Sequence, residues 1–146
     1  MSSEKGLPIH LSLPTIHSTM SDTNSKINRA VWMDIPVAEL DRACTFYAAV
    51  LGCEVSQQTF GDFQLGVLEH EEGNGCCLVL QPEDISDKGT LVYYNTDGRI
   101  RDAVAKVVEH GGSVTKDVHA IGPHGFRAIV LDSEGNRIAL HSNTDE

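Results

Sequence analysis

The sequence predicts an α+β fold made of two βαβββ modules. Two observations predict it. The stretch from Leu40 to Gly52 recurs sixty positions later, from Ile100 to Gly112, with Leu40 matched by Ile100, Ala43 by Ala103, Tyr47 by Val107 and Gly52 by Gly112. Each copy follows an apolar segment and precedes three short alternating segments, so the order of elements repeats along with the residues. A single mixed sheet of another α+β type is the alternative, and the shared offset and order favour the paired modules.

From Ile27 to Val37 the chain reads as a strand ending near Pro36. Leu40, Ala43, Tyr47, Val50 and Leu51 then recur at helical steps, and Gly52 offers the left-handed conformation that closes a helix. Strands are expected over 54–60, 63–68 and 75–81, with turns at Gly61-Asp62 and 71–74. The second unit repeats this order. A strand over 90–94 leads to Asp97, a suitable N-cap, and to the apolar stripe of Ile100, Ala103, Val104, Val107 and Val108. Gly111-Gly112 ends that helix, and strands follow over 113–118, 126–131 and 137–141.

These elements place one domain at 27–146, with module one at 27–82, a polar linker at 83–89 and module two at 90–142. Residues 1–26 hold six serines, two prolines and no sustained period, and read as a disordered or loosely attached arm. They lack the basic and apolar regions of a secretory signal, and Met20 is a candidate start of a shorter protein.

With 146 residues and 40% hydrophobic content, the chain can bury a core. No apolar run approaches the length of a membrane span. The formal charge of −10 opposes nucleic acid, whose phosphates need a basic surface. Cys76 and Cys77 are neighbours on a strand and point to opposite faces, while Cys44 lies in a helical pattern and Cys53 follows Gly52. All four read as reduced thiols of a cytoplasmic protein, serving packing rather than nucleophilic chemistry. No catalytic Ser–His–Asp pattern, phosphate loop or dinucleotide fingerprint is visible.

The run from Ile35 to Gly52 resembles the first-module signature of the vicinal oxygen chelate superfamily, which includes glyoxalase I, bleomycin-resistance proteins and extradiol dioxygenases. The run from Ala128 to Leu140 is similar to its closing signature. The resemblance implies an open, cup-shaped mixed sheet around a small-molecule ligand, and a homodimer that often completes its cups across subunits. It also implies four metal-ligand positions, which fall here on Trp32, Leu78, Thr90 and Ala139. Trp, Leu and Ala cannot ligate a divalent ion and Thr does so poorly, so no metal cofactor is expected.

Period-two alternation then sets Trp32 beside Ala30 and Asp34, Leu78 beside Cys76 and Leu80, Thr90 beside Val92 and Tyr94, and Ala139 beside Arg137 and His141. The expected ligand-binding residues are Trp32, Leu78, Thr90, Tyr94, Ala139 and His124, the last carried by a loop that could act as a lid. Asp34 and His141 are the candidate acid–base groups. Each also has a plainer role: Trp32 as core, Asp34 as a turn cap, Tyr94 as packing, His141 as a surface histidine, and the loop from His119 to Gly125 as a polar turn.

A metal-independent protein that binds a small organic molecule is the leading functional expectation. One alternative is a metal-dependent glyoxalase-type lyase, isomerase or dioxygenase, with a divalent ion on shifted ligands such as Asp34, His124 and His141. The other is non-catalytic sequestration of an antibiotic.

Overall fold

The computed structural model describes residues 26–146. Apart from Lys26, the expected arm lies outside them, as does Met20. Module one runs β1 (Trp32–Val37), α1 (Leu40–Leu51), β2 (Val55–Phe60), β3 (Phe63–Leu68) and β4 (Gly75–Leu80). Module two runs β5 (Tyr93–Asn95), α2 (Ile100–Glu109), β6 (Ser113–Ala120), β7 (Phe126–Leu131) and β8 (Arg137–Ser142). Single 3₁₀ turns follow β4, at Pro82–Asp84, and β6, at Gly122–His124. The βαβββ order is present twice.

Each module forms its own four-stranded sheet, in the orders β1-β4-β3-β2 and β5-β8-β7-β6. The first strand of each runs parallel to the last, and the other pairings are antiparallel. Each sheet lays one face on its helix, and α1 and α2 meet, so one apolar cluster joins the modules. Phe46, Tyr47, Val50, Ile100 and Val107 are fully buried in it. At Gly112 a Cβ would lie 2.4 Å from Leu131 O and 2.9 Å from the Phe46 ring, so the close approach of the modules there requires glycine.

Module two also caps both ends of the first helix. Glu134 Oε1 accepts hydrogen bonds from the backbone N–H groups of Ala38 at 2.9 Å and Glu39 at 3.0 Å, where the helix begins. Both its carboxylate oxygens also bind the Arg42 guanidinium, each at 2.8 Å. At the other end Gly52, with φ of 64°, returns its N–H to Ala48 O, while Arg99 Nη1 donates to Val50 O at 2.8 Å. An anion at the N-terminus and a cation at the C-terminus both suit the helix dipole.

Several boundaries differ from the expected ones: β6 runs on to Ala120, and β2, β4 and β8 each shift by one residue at one end. β1 begins at Trp32 rather than Ile27, because pairing with β4 starts at Gly75 and Ile27 is 89% exposed. β5 covers Tyr93–Asn95 rather than 90–94, since only those residues pair with β8. Asp97 does not cap α2, whose N-cap is Arg99 with no side-chain capping bond. The Asp97 carboxylate instead accepts from Asn143 N at 2.6 Å and Ser142 Oγ at 3.3 Å, tying down the chain after β8.

Candidate functional site

Because strand side chains alternate, the face of each sheet opposite its helix is left open. On β1, Ile35 and Val37 turn inward, while Trp32 and Asp34 lie on the open face. Asp34 accepts from Cys77 Sγ at 3.3 Å on β4. Trp32 meets the His70 ring edge-on, with centroids 5.8 Å apart. A Cβ at Gly75 would stand 2.4 Å from that imidazole, so glycine makes room for His70 across the strand. The His70 ring is held by Nδ1, 3.0 Å from Gly73 O.

Leu78 does not line this face. It pairs in register with Ile35 and Gly66 and is fully buried on the helix side. A one-residue error in register moves a side chain through the sheet, and that error separates Leu78 from the open-face residues Gly75, Cys77 and Val79. Cys76, expected beside it, is likewise in the core.

The second sheet requires the same correction at β5. Tyr94 faces the core, its ring 5.7 Å from Tyr47 and its hydroxyl 3.9 Å from Cys76 Sγ. Thr90 precedes the strand and is exposed. The open-face residue is Tyr93, 46% exposed, which pairs in register with Ala139. Ala139 is fully buried beneath its neighbours.

One polar row crosses the open face of this sheet. Asn95 on β5 pairs with His141 on β8, His141 with Arg127 on β7, and Arg127 with His119 on β6. Arg127 Nε donates to His119 Nε2 at 3.0 Å, and its Nη1 donates to the Tyr93 hydroxyl. His141 Nε2 lies 2.7 Å from His124 O. A carbonyl only accepts, so the proton sits on Nε2 and Nδ1 is left as the basic nitrogen. His124 therefore contributes its backbone from the 3₁₀ turn, orienting His141.

The thiols are poor nucleophiles here. Burial, with Asp34 next in effect, pushes Cys77 up to about 12, and burial pushes Cys76 up to about 11. Burial also raises Cys44 and Cys53.

The superfamily resemblance implies a divalent ion between paired strands, and the donor set tests that fit. The four implied positions carry an indole at Trp32, a buried aliphatic side chain at Leu78, an exposed hydroxyl at Thr90 and a buried methyl group at Ala139. Those groups do not fit a divalent cation. Of the shifted set, Asp34 lies on β1, His141 on β8 and His124 in the 3₁₀ turn after β6, where its backbone carbonyl is taken up by His141. Among the described residues no group of three or more His, Cys, Asp or Glu is placed to hold a metal.

Residues 26–140 match the family model of the Glyoxalase/Bleomycin resistance protein/Dioxygenase superfamily. The chain belongs to this superfamily. A hypothetical protein from S. aureus is similar in structure, with a TM-score of 0.63 and 14% identity over 80% of this chain and 95% of that one. The fosfomycin resistance protein FosX from Listeria monocytogenes gives 0.61 and 11% over 80% and 93%. Glyoxalase I from Zea mays gives 0.61 and 17%, and the chain covers 77% of itself but only 45% of that longer protein. No curated protein matches the sequence. At these identities the structural matches speak for the glyoxalase-like fold alone.

Trp32, Asp34 and His141 lie on the open faces of this superfamily member as expected, and Ala139 shares that side but is fully buried. His70, Tyr93, His119 and Arg127 are open-face residues that were not among the expected ones. Arg127 carried a usable signal, a lone charge inside the apolar strand Phe126–Leu131. Tyr93 was displaced by one residue.

Proposed function

We propose that this superfamily member binds a small organic molecule against its open sheet faces and does so without a metal ion. The observation that carries the reading is the side-chain set at the four implied ligand positions, Trp32, Leu78, Thr90 and Ala139, which offers one hydroxyl and no imidazole or carboxylate. Trp32 supplies a stacking surface, and Asp34 and His141 are the proton-transfer groups, one on each sheet. His141 is the better oriented, since His124 O fixes its tautomer.

A homodimer belongs to this reading. β1 and β5 are edge strands with one neighbour each, and Tyr93 on β5 is 46% exposed. A second copy would cover these edges and join the first sheet of one chain to the second sheet of the other. The four free cysteines support a reducing, cytoplasmic setting.

Metal analysis of protein purified without a histidine tag tests the proposal. Trace metal, with aromatic small molecules still raising the melting temperature, is the expected result. One nickel, zinc, manganese or iron per chain overturns it in favour of a metal-dependent glyoxalase-type enzyme. A melting shift with glycopeptide antibiotics alone would instead favour sequestration.

A further inference from the structure

Arg127 differs from the two arginines at the ends of α1 in what surrounds it; Arg137, on the same sheet face, likewise has no carboxylate partner among the described residues and donates Nη2 to Gly89 O. Arg42 and Arg99 are each paired with a carboxylate, Glu134 and Asp102. Arg127 meets only neutral acceptors, the His119 imidazole and the Tyr93 hydroxyl, and among the described residues no carboxylate lies within ion-pair distance of it. Such a guanidinium in a chain of charge −10 is a cation that has been kept unpaired.

Its partners also aim it. His119 Nδ1 lies 2.8 Å from Asp117 O, so the proton sits on Nδ1 and Nε2 is free to accept from Arg127 Nε. Tyr93 accepts from Nη1, and its ring lies beside the guanidinium with the Arg127 Cζ 6.0 Å from the centroid. Both Nη2 hydrogens, the second Nη1 hydrogen and the Tyr93 O–H are then left without a partner among the described residues. The planar fork that Arg offers matches the two oxygens of a carboxylate or phosphonate, and the phenol adds a third donor. His141 stands next in register to Arg127, with its ring centroid 6.4 Å from that of Tyr93.

We propose that the open face of the second sheet binds the anionic head of the small-molecule ligand, a carboxylate or phosphonate, through Arg127 Nη2 and the Tyr93 hydroxyl. The proposal rests on the small-molecule reading above and names its substrate class. His119 acts as a positioning residue, holding Nε so that the outer nitrogens face the ligand. The adjacent His141 then sits where a proton next to that anionic head could be taken by Nδ1.

Calorimetric titration of the full chain with phenylacetate, phenylphosphonate and neutral phenylacetamide tests the assignment. One or both anions should bind, the amide should bind at least about tenfold more weakly, and raising salt should weaken only the anions. Arg127→Gln should lose about tenfold to a hundredfold in anion affinity, and Tyr93→Phe less, with the amide unchanged in both. Arg127→Lys keeps the charge without the fork and should fall between, and circular dichroism checks that each variant folds. Equal binding of amide and anions, or anion binding unchanged in Arg127→Gln, overturns the assignment and leaves the small-molecule reading standing. No binding by any probe up to tens of millimolar overturns it as well. Stoichiometric metal in the purified protein would sink the metal-free reading while leaving the Arg127 titration to be judged separately.

Discussion

Tyr47 Oη donates a 2.6 Å hydrogen bond to Asp132 Oδ2 inside the core, joining the first helix to the turn between the last two strands. The phenol is fully buried, and burial, followed by neighbouring Tyr94 and Asp132, pushes its ionisation far above the ordinary range. Asp132 is otherwise held within its turn: Oδ1 accepts from the backbone N–H groups of Glu134, Gly135 and Asn136, each at 2.9 Å. Asn136 in turn donates to Asp132 Oδ2 and to Pro36 O on β1. The two modules are thus latched through polar groups as well as through the apolar cluster.

Tyr47→Phe removes one charge-assisted bond and leaves a buried carboxylate oxygen short of a donor. The expected loss is about 2 kcal/mol. Urea unfolding should show it as a lower midpoint with the same slope and a single transition, because both modules share the core. A loss below about 0.5 kcal/mol, or two separated transitions, would contradict the latch.

Glu134 makes stability depend on pH in a defined window. Burial works against its ionisation, but Arg42, Ser133 and the N–H groups of Ala38 and Glu39 outweigh it and hold the carboxyl at about 2, against an ordinary 4.5. A folded-state value below the unfolded one means that its contribution is complete above about pH 4.5 and is lost as pH falls toward 2. Thermal melts between pH 7 and pH 2 should show this loss. In Glu134→Gln the neutral-pH stability should drop by about 2 kcal/mol and the acid-side decline should flatten.

The thiols should resist labelling in the native protein. With Cys76 near 11 and Cys77 near 12, the thiolate fraction at pH 8 is about one in a thousand or less. A disulfide reagent should therefore modify these two slowly, and all four cysteines rapidly in denaturant. Fast native modification of Cys77 would show that its pairing with Asp34 is wrong.

His141 should be found in one neutral tautomer. Nitrogen-15 NMR of the histidine rings should place its proton on Nε2, given the 2.7 Å contact with His124 O. A proton on Nδ1 would remove the physical basis for assigning that nitrogen as the base. His119 should show the opposite tautomer, because its Nδ1 faces Asp117 O.

Much of the fold was legible because its signals are local. The helical stripes at Leu40–Val50 and Ile100–Val107, the glycines that close them and the sixty-residue offset require only a chain that alternates or repeats. Family membership followed from the same runs. Strand register was harder to read, since at a period of two the neighbour of a residue always lies on the opposite face. Leu78 and Tyr94 were each assigned to the open side and belong to the core, whereas Cys77 and Tyr93 take the open positions beside them.

The sequence by itself therefore determined two βαβββ modules, their order, and the absence of metal-binding side chains at Trp32 and Ala139. Only the tertiary structure decided that Arg127, His119, Tyr93 and His141 gather on one face. They come from four different strands, and residues so distant in the chain become neighbours only through cross-strand register and the bulged pairing of β6 with β7. The same holds for the capping of α1 by Glu134 and Arg99, which local propensity cannot foresee because the capping charges come from the other module.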